Sequence, residues 1–457
     1  MGHGVALARF ASGITWGALD AQLRAKLLDH VVDTIGAMYA GIRMQVCREA
    51  QGVVEGWGAA DESTVAGEAR RYPAPSAAFL NGLRGRIHTF DDTYEPGTVH
   101  PGSAVVSAAL ALAEKHGVDG QTFLAAVLAG YEVTTRVAAA VSPSHYAAGF
   151  HNTGTCNAFG AAAAAARALG LDGDALAEAL GLAGATAAGL RQHQIDGSML
   201  DSAFHGARAA QSGVMVAQLR AAGVRGPAGI LDGPMGFCAV MAPSHDVTRL
   251  DAELGSRYEF LQMTIKPYPT CRFAHGPIEA AMQLKQRHAI DPAAIESIEI
   301  ATFRQSIEVS DRPRIQNAFD RTVSHQHGVA VGLLKDRVAL DSFVEGAAVD
   351  GPVEALMERT RVVHDAELEK LFPRQWPHRV TIAMKDGRQH SILSEYPPGR
   401  VTPVPSSTVD AKFLDHVTPC LGAAQGARTL AALRGCADAR DMRDVTAALR
   451  PATAARG

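Results

Sequence analysis

The stretch RIHTFDDTYEPGTVHPGSAVVSAALAL, residues 86–112, gathers His88, Asp91, Asp92, Thr93 and His100 into one short segment. A loop bearing Gly and Pro follows the carboxylate pair. An Ala/Val-rich helical pattern starts directly after His100-Pro101-Gly102-Ser103. Acid, hydroxyl and imidazole groups held at the mouth of an apolar helix suit proton-transfer chemistry. The plainer alternative makes Asp91 and Asp92 a turn and a helix cap, with His100 a satisfied surface histidine.

Helical patterning extends to both sides of this segment. Ala18–Gly41 carries Leu19, Leu23, Leu27, Val31, Ile35 and Met38 at helical spacing. Further helices are predicted over 77–83, 103–116, 121–141, 157–169, 175–190 and 204–222, most of them rich in Ala and Gly. Small side chains let helices approach closely, so these read as interior helices of a compact bundle. The character changes near Thr264, where IKPYPTC holds two prolines and cannot be a regular helix. A helix over 275–288 then leads to IESIEIATF at 295–303, which alternates like a strand. Another helix is predicted over 323–334. Arg379–Lys385, the Asp386-Gly387 turn and Arg388–Ser394 read as a β-hairpin. Helical patterns return over 411–417, 423–433 and 439–449. The expected fold is mainly α. Residues 1–265 and 401–457 form a large, discontinuous all-helical domain, and residues 266–400 form a smaller α+β lid on an antiparallel sheet. Such an arrangement leaves an interdomain cleft, where ligand sites are favoured.

At 457 residues the chain is too long for one simple core. Its 47% hydrophobic and 20% charged residues are those of a soluble globular protein. A net charge of −4 and the lack of a basic stripe argue against nucleic acid or an acidic membrane as partner. The most apolar segment, 158–171, contains Arg167 and is too short to span a bilayer. MGHGVALARFASG at the start lacks the apolar run of a signal peptide, so a cytoplasmic location is expected. The six cysteines, Cys47, Cys156, Cys238, Cys271, Cys420 and Cys436, form no C-x-x-C pair and no cluster with metal-ligand spacing. Free thiols and no metal site are the expectation. No P-loop and no dinucleotide fingerprint follows a predicted strand.

Three further groups could carry chemistry. His145, Tyr146 and His151 share SPSHYAAGFHNTGTC, ahead of a helix N-terminus that would favour an anion. An ordinary interhelical loop is the alternative. Lys266, Arg272 and His275 share KPYPTCRFAH at the proposed domain junction. Two cations there would bind a dicarboxylate, and a desolvated Lys266 could act as a base; a proline-stiffened linker with solvated charges is the alternative. Arg84 and Arg86 are carboxylate anchors or ion partners of the aspartates. His325 and His327 begin a helix, where i and i+2 point apart, so metal binding is not expected. Nothing in the sequence places His193 or His205.

These segments, in this order, resemble the MmgE/PrpD family. The resemblance is carried by HVVDTIGAMYAGI (30–42), FDDTYEPGTVHPGSAVVSAALALAE (90–114), GYEVTTR (130–136), GFHNTGTCNAFGAAAAAARALGLD (149–172), FHGARAAQSG (204–213) and KPYPTCRFAHGPIEAA (266–281). It implies a homodimer and an interdomain site for a small di- or tricarboxylate, without an organic cofactor. The site would include Asp91, Thr93, His100, His151 and Lys266. Family members include 2-methylcitrate dehydratase, cis-aconitate decarboxylase and iminodisuccinate epimerase. Their shared chemistry is proton removal or delivery beside a carboxylate.

Three positions depart from the pattern. Ser202 stands where dehydratase-like and decarboxylase-like members carry Lys, His327 stands near the place of a lid tyrosine, and Arg86 replaces a histidine. Loss of that Lys and Tyr favours an iminodisuccinate-type epimerase, with Tyr146 and Lys266 on opposite faces of one carbon. His100 and His151 would polarise the carboxylates, with Asp91 in the catalytic set. Arg86, Asp92, Thr93, Arg272 and His327 would contact substrate. The alternatives are a dehydratase or decarboxylase, and a non-catalytic acid-binding scaffold of the same fold.

Overall fold

A computed structural model describes residues 2–335, 337–344, 346–347 and 349–452, and at 199–201 the backbone alone. The fold is mainly α with a small sheet. Two large apolar cores dominate it, with two smaller clusters beside them. The larger core takes residues from 7 to 265 and again from 409 to 449; the second lies within 274–384.

The helix Ala21–Gly41 starts at Asp20, whose carboxylate accepts the Leu23 amide at 2.7 Å. Leu23, Leu27, Val31, Ile35 and Met38 are buried, as their spacing predicts. Against this helix pack Ala74–Arg86 and Gly102–His116, and beyond them Gly120–Val141, Asn152–Ala168 and Met199–Ala221. Small residues set the interhelical distance. A Cβ on Gly160 would stand 1.7 Å from Thr134 Oγ1, and one on Gly213 would stand 2.5 Å from the Ala161 carbonyl carbon. Gly120–Val141 is long and apolar enough to cross a membrane, but its apolar stretch is buried inside the protein. It also carries an internal ion pair, Arg136 to Glu132 at 2.9 Å, completed by the Phe260 amide and the carbonyls of Ala252 and Arg257.

The C-terminal helices Ser406–Leu421 and Ala423–Arg434 return to this body. Val409, Phe413 and Val417 join the larger core, and Arg434 bridges Asp29 at 2.6 Å and Asp410 at 2.5 Å. Lys412 pairs with Asp33 at 2.7 Å and donates to the carbonyls of Phe90 and Lys266, tying the motif loop to the junction.

Arg272–His288 and His325–Lys335 cover a four-stranded sheet ordered Thr360–His364, Ile295–Thr302, His378–Met384, Gln389–Ser394. The hairpin turns at Gly387 with φ +88°. The sheet is mixed rather than antiparallel: Thr360–His364 runs parallel to Ile295–Thr302, joined through a long helical connection. Helix starts also differ from expectation. Asn152–Ala168 begins five residues before the predicted 157, its first turn closed by the Gly154 and Thr155 amides on the His151 carbonyl at 2.8 and 3.2 Å.

Candidate active site

The loop between Asp91 and His100 is locked from two directions. Thr93 and Thr264 exchange backbone hydrogen bonds of 2.9 Å each way, which sets the motif loop beside Lys266. His100 donates its backbone amide to Thr153 Oγ1, and its carbonyl accepts from Asn157 Nδ2 at 2.8 Å.

The two neighbouring aspartates have different fates. Asp92 is fully enclosed. Its carboxylate meets His30 Nδ1 at 2.7 Å, the Tyr131 hydroxyl at 2.5 Å and the Gly102 amide at 2.9 Å. It is the helix cap of the plainer reading, and a substrate contact by this carboxylate is not what the structure shows. Its main-chain carbonyl matters more, because it accepts a proton from His100 Nδ1 at 2.8 Å. A carbonyl only accepts, so His100 carries its proton on Nδ1 and its lone pair on Nε2. Burial first, then Lys266 and Arg86, hold His100 well below the usual histidine range, so the ring is neutral. Asp91 instead accepts Arg86 Nη1 at 2.7 Å and the Ser103 hydroxyl at 3.0 Å. Burial raises its pKa against the pull of Arg86 and Lys266.

His100 and Arg86 border a partly enclosed cavity of about 60 Å³. Arg86, Thr93, His100, Tyr146, His151 and Arg272 line it, so six of the expected site residues converge there. Arg86 also reaches Ser202 Oγ at 3.3 Å; two of the three departures from the family pattern therefore touch each other. Tyr146 receives the Gln194 amide at 2.9 Å, and the Arg191 guanidinium lies 3.8 Å over its ring. Burial raises the Tyr146 pKa, which keeps the phenol protonated. Arg272 spends Nε on Glu95 at 2.9 Å and is 2% exposed, yet its Nη2 has no partner in the protein. An orphaned buried donor costs roughly 1–3 kcal/mol. A carboxylate in the cavity would satisfy it in the forked geometry that guanidinium favours.

Lys266 and Asp91 sit one contact behind this surface. Lys266 Nζ donates to the Thr89 carbonyl at 2.5 Å, at a residue with φ +53°. Burial lowers its pKa to about 7, with Asp91 pulling the other way. The expected pairing of Tyr146 and Lys266 across one carbon is therefore replaced: His100, not Lys266, shares the cavity surface with Tyr146. His327 does not reach the cavity. Its helix turns it against the Phe343 ring at 4.9 Å, where burial lowers its pKa to about 4.

Sequence reasoning missed Thr89, Thr98, Gln194 and the apolar wall of Phe273, Val309, Phe319, Val323 and Trp376. The wall residues are scattered over more than a hundred positions and carry no local signal. A larger open groove of about 600 Å³, between Tyr268 and Val404, contains no histidine and no cation, so the smaller cavity holds the convergent chemistry.

Residues 5–250 match the MmgE/PrpD N-terminal domain and residues 268–436 the MmgE/PrpD C-terminal domain. The cis-aconitate decarboxylase-like protein oryM of Aspergillus oryzae is 26% identical over 418 residues, 86% of each chain. Cis-aconitate decarboxylase of Homo sapiens is 25% identical over 393 residues, 84% of this chain and 81% of the relative. 2-Methylcitrate dehydratase of Cupriavidus necator is 26% identical over 399 residues, 81% of this chain and 80% of the relative. The chain belongs to the MmgE/PrpD family.

Proposed function

We propose that this MmgE/PrpD-family protein is an acid–base enzyme acting on a small di- or tricarboxylate. His100 Nε2 takes or returns a proton at a carbon beside one carboxylate, and Arg272 holds a carboxylate. One observation carries the assignment: a neutral imidazole with a fixed tautomer shares a cavity with a buried guanidinium whose Nη2 has no partner. A base needs its lone pair aimed at the substrate, and an anion needs a desolvated cation.

The relatives named decarboxylase and dehydratase support a lyase. In decarboxylation the carbon that loses CO₂ keeps the bonding electrons and must then be protonated. In dehydration the proton leaves carbon while the hydroxyl departs as water. His100 and Tyr146 supply the two proton positions that either course uses.

A second course, epimerisation of the iminodisuccinate type, is favoured by Ser202 and by the Arg86–Asp91 pair beside it. Ser202 leaves that position without the ammonium that dehydratase-like and decarboxylase-like members carry there. Epimerisation needs only one group on each face of a carbon, which His100 and Tyr146 also provide.

A panel of di- and tricarboxylates incubated with the protein in D₂O and followed by NMR tests this. A lyase gives an unsaturated acid or CO₂; an epimerase gives deuterated stereoisomers alone. A panel in which no acid is altered or exchanged refutes the assignment.

A further inference from the structure

We propose that Cys271 is a covalent-modification site: its thiol adds to the double bond of an α,β-unsaturated carboxylic acid whose carboxylate is held by Arg272. The inference rests on the acid–base reading only in taking Arg272 as a carboxylate anchor. It adds a nucleophile that the acid–base course does not use.

Cys271 closes the proline-interrupted segment KPYPTC and is the N-cap of Arg272–His288. Its amide donates to the Thr322 carbonyl at 2.9 Å, and its carbonyl accepts the Ala274 amide at 3.0 Å, so its backbone is held from two sides. The residue is half-buried. It packs against the apolar cluster of Phe273, Phe303, Val309 and Trp376, and it lines the cavity. The start of a helix this long carries partial positive charge, which favours a thiolate there. Lys266 and Tyr146 lie close enough to feel its charge.

A lone thiol at a helix start identifies no ligand, but the next residue does. Arg272 lines the same cavity and is 2% exposed, and its Nη2 has no partner. Adjacent residues 271 and 272 thus offer a nucleophile and a carboxylate anchor to one small molecule. In an unsaturated acid the attacked β-carbon lies just beyond the α-carbon that bears the carboxylate, which suits that spacing. A free carboxylate deactivates its double bond, and pairing with a buried guanidinium offsets part of this. The sulfur–carbon bond forms at the β-carbon as the carbon–carbon π bond breaks. The electron pair moves to the α-carbon, which gains a proton as the thiol loses one. Nothing is oxidised or reduced, and no co-reactant is consumed. A lyase course would release an acid of this class into the same cavity. The other thiols are placed differently. Cys47, Cys156, Cys238 and Cys436 are buried, and burial pushes each up to about 12. Cys420 is half-buried and lies outside the cavity lining, so it serves as an internal control.

Full-length protein treated with acrylate or with acrylamide, and followed by peptide mass mapping, tests this. The two reagents share one double bond and differ in the carboxylate. At Cys420 acrylamide should react faster, as with an ordinary thiol; at Cys271 acrylate should react faster. Arg272→Lys should slow the acrylate reaction at Cys271 by about tenfold. Excess succinate, which has two carboxylates and no double bond, should protect Cys271 in the wild type, a reading that needs no variant to fold. An unlabelled Cys271, acrylamide faster than acrylate at Cys271, an undiminished acrylate reaction in Arg272→Lys, or no protection by succinate would overturn the proposal. Acrylate preference beside an acid panel without turnover would leave this site standing and remove the acid–base reading; turnover without that preference would do the reverse.

Discussion

The helical side of the cavity contributes Arg86, His100, Tyr146, His151 and His193, whereas the α+β side contributes Phe273, Val309, Phe319, Val323, Trp376 and one cation, Arg272. On the helical side each polar group is held by a second contact. His100 is fixed at both its ring and its backbone, Arg86 by Asp91, and Tyr146 by Gln194. On the other side the aromatic groups hold one another, with Phe273 and Trp376 rings 4.7 Å apart. Under the proposed function, proton transfer falls to the helical side, and water exclusion with anion anchoring falls to the α+β side. Substitutions on the first side should change the chemical step; those on the second should change binding.

The largest effect is expected at His100. His100→Gln should lower kcat by about 10²–10⁴-fold with the fold retained by circular dichroism. A variant with wild-type kcat would move the chemistry elsewhere.

Lys266 separates protonation from contact. Its pKa falls from 10.5 to about 7 in the folded protein. The unfolded chain keeps that proton up to about 10.5, so the buried amine penalises folding below pH 7 and the penalty fades as pH rises toward 10.5. Wild type should therefore gain on Lys266→Met by about 1.4 kcal/mol per pH unit across that window. Denaturant unfolding at several pH values reads this, and parallel curves would show a normal amine.

Arg272→Lys keeps the charge beside Glu95 but loses the fork. KM should rise about tenfold, with kcat changed less. A fall in kcat at constant KM would place Arg272 on the proton-transfer side.

The smallest effect is expected from Phe319→Leu in the apolar wall. It should cost less than about 1.5 kcal/mol by thermal unfolding and shift KM only slightly. A large loss of kcat would erase the division between the walls.

Sequence reading served the two sides unequally. Thr93, His100, Tyr146 and His151 stood out because Gly and Pro interrupt the helical pattern around them, and Arg86 because it replaces the family's histidine. Asp91 and Asp92 look alike in sequence; only His30 and Tyr131, brought in from distant helices, make one of them a cap. His327 sat at the expected helix start, but the helix turns its ring under Phe343. The strand Thr360–His364 escaped notice because it is short and pairs in parallel through a long connection. Val309, Phe319 and Trp376 could not be told from core residues, because a wall side chain and a core side chain are both simply apolar.

The central claim is that His100 moves a proton at a carbon beside a carboxylate. Deuterium uptake from D₂O into a substrate found in the acid panel, measured by NMR for wild type and for His100→Gln, tests it most directly. Uptake in wild type and in Phe319→Leu, lost in His100→Gln, is the expected result. Equal uptake with and without the His100 imidazole would contradict the account.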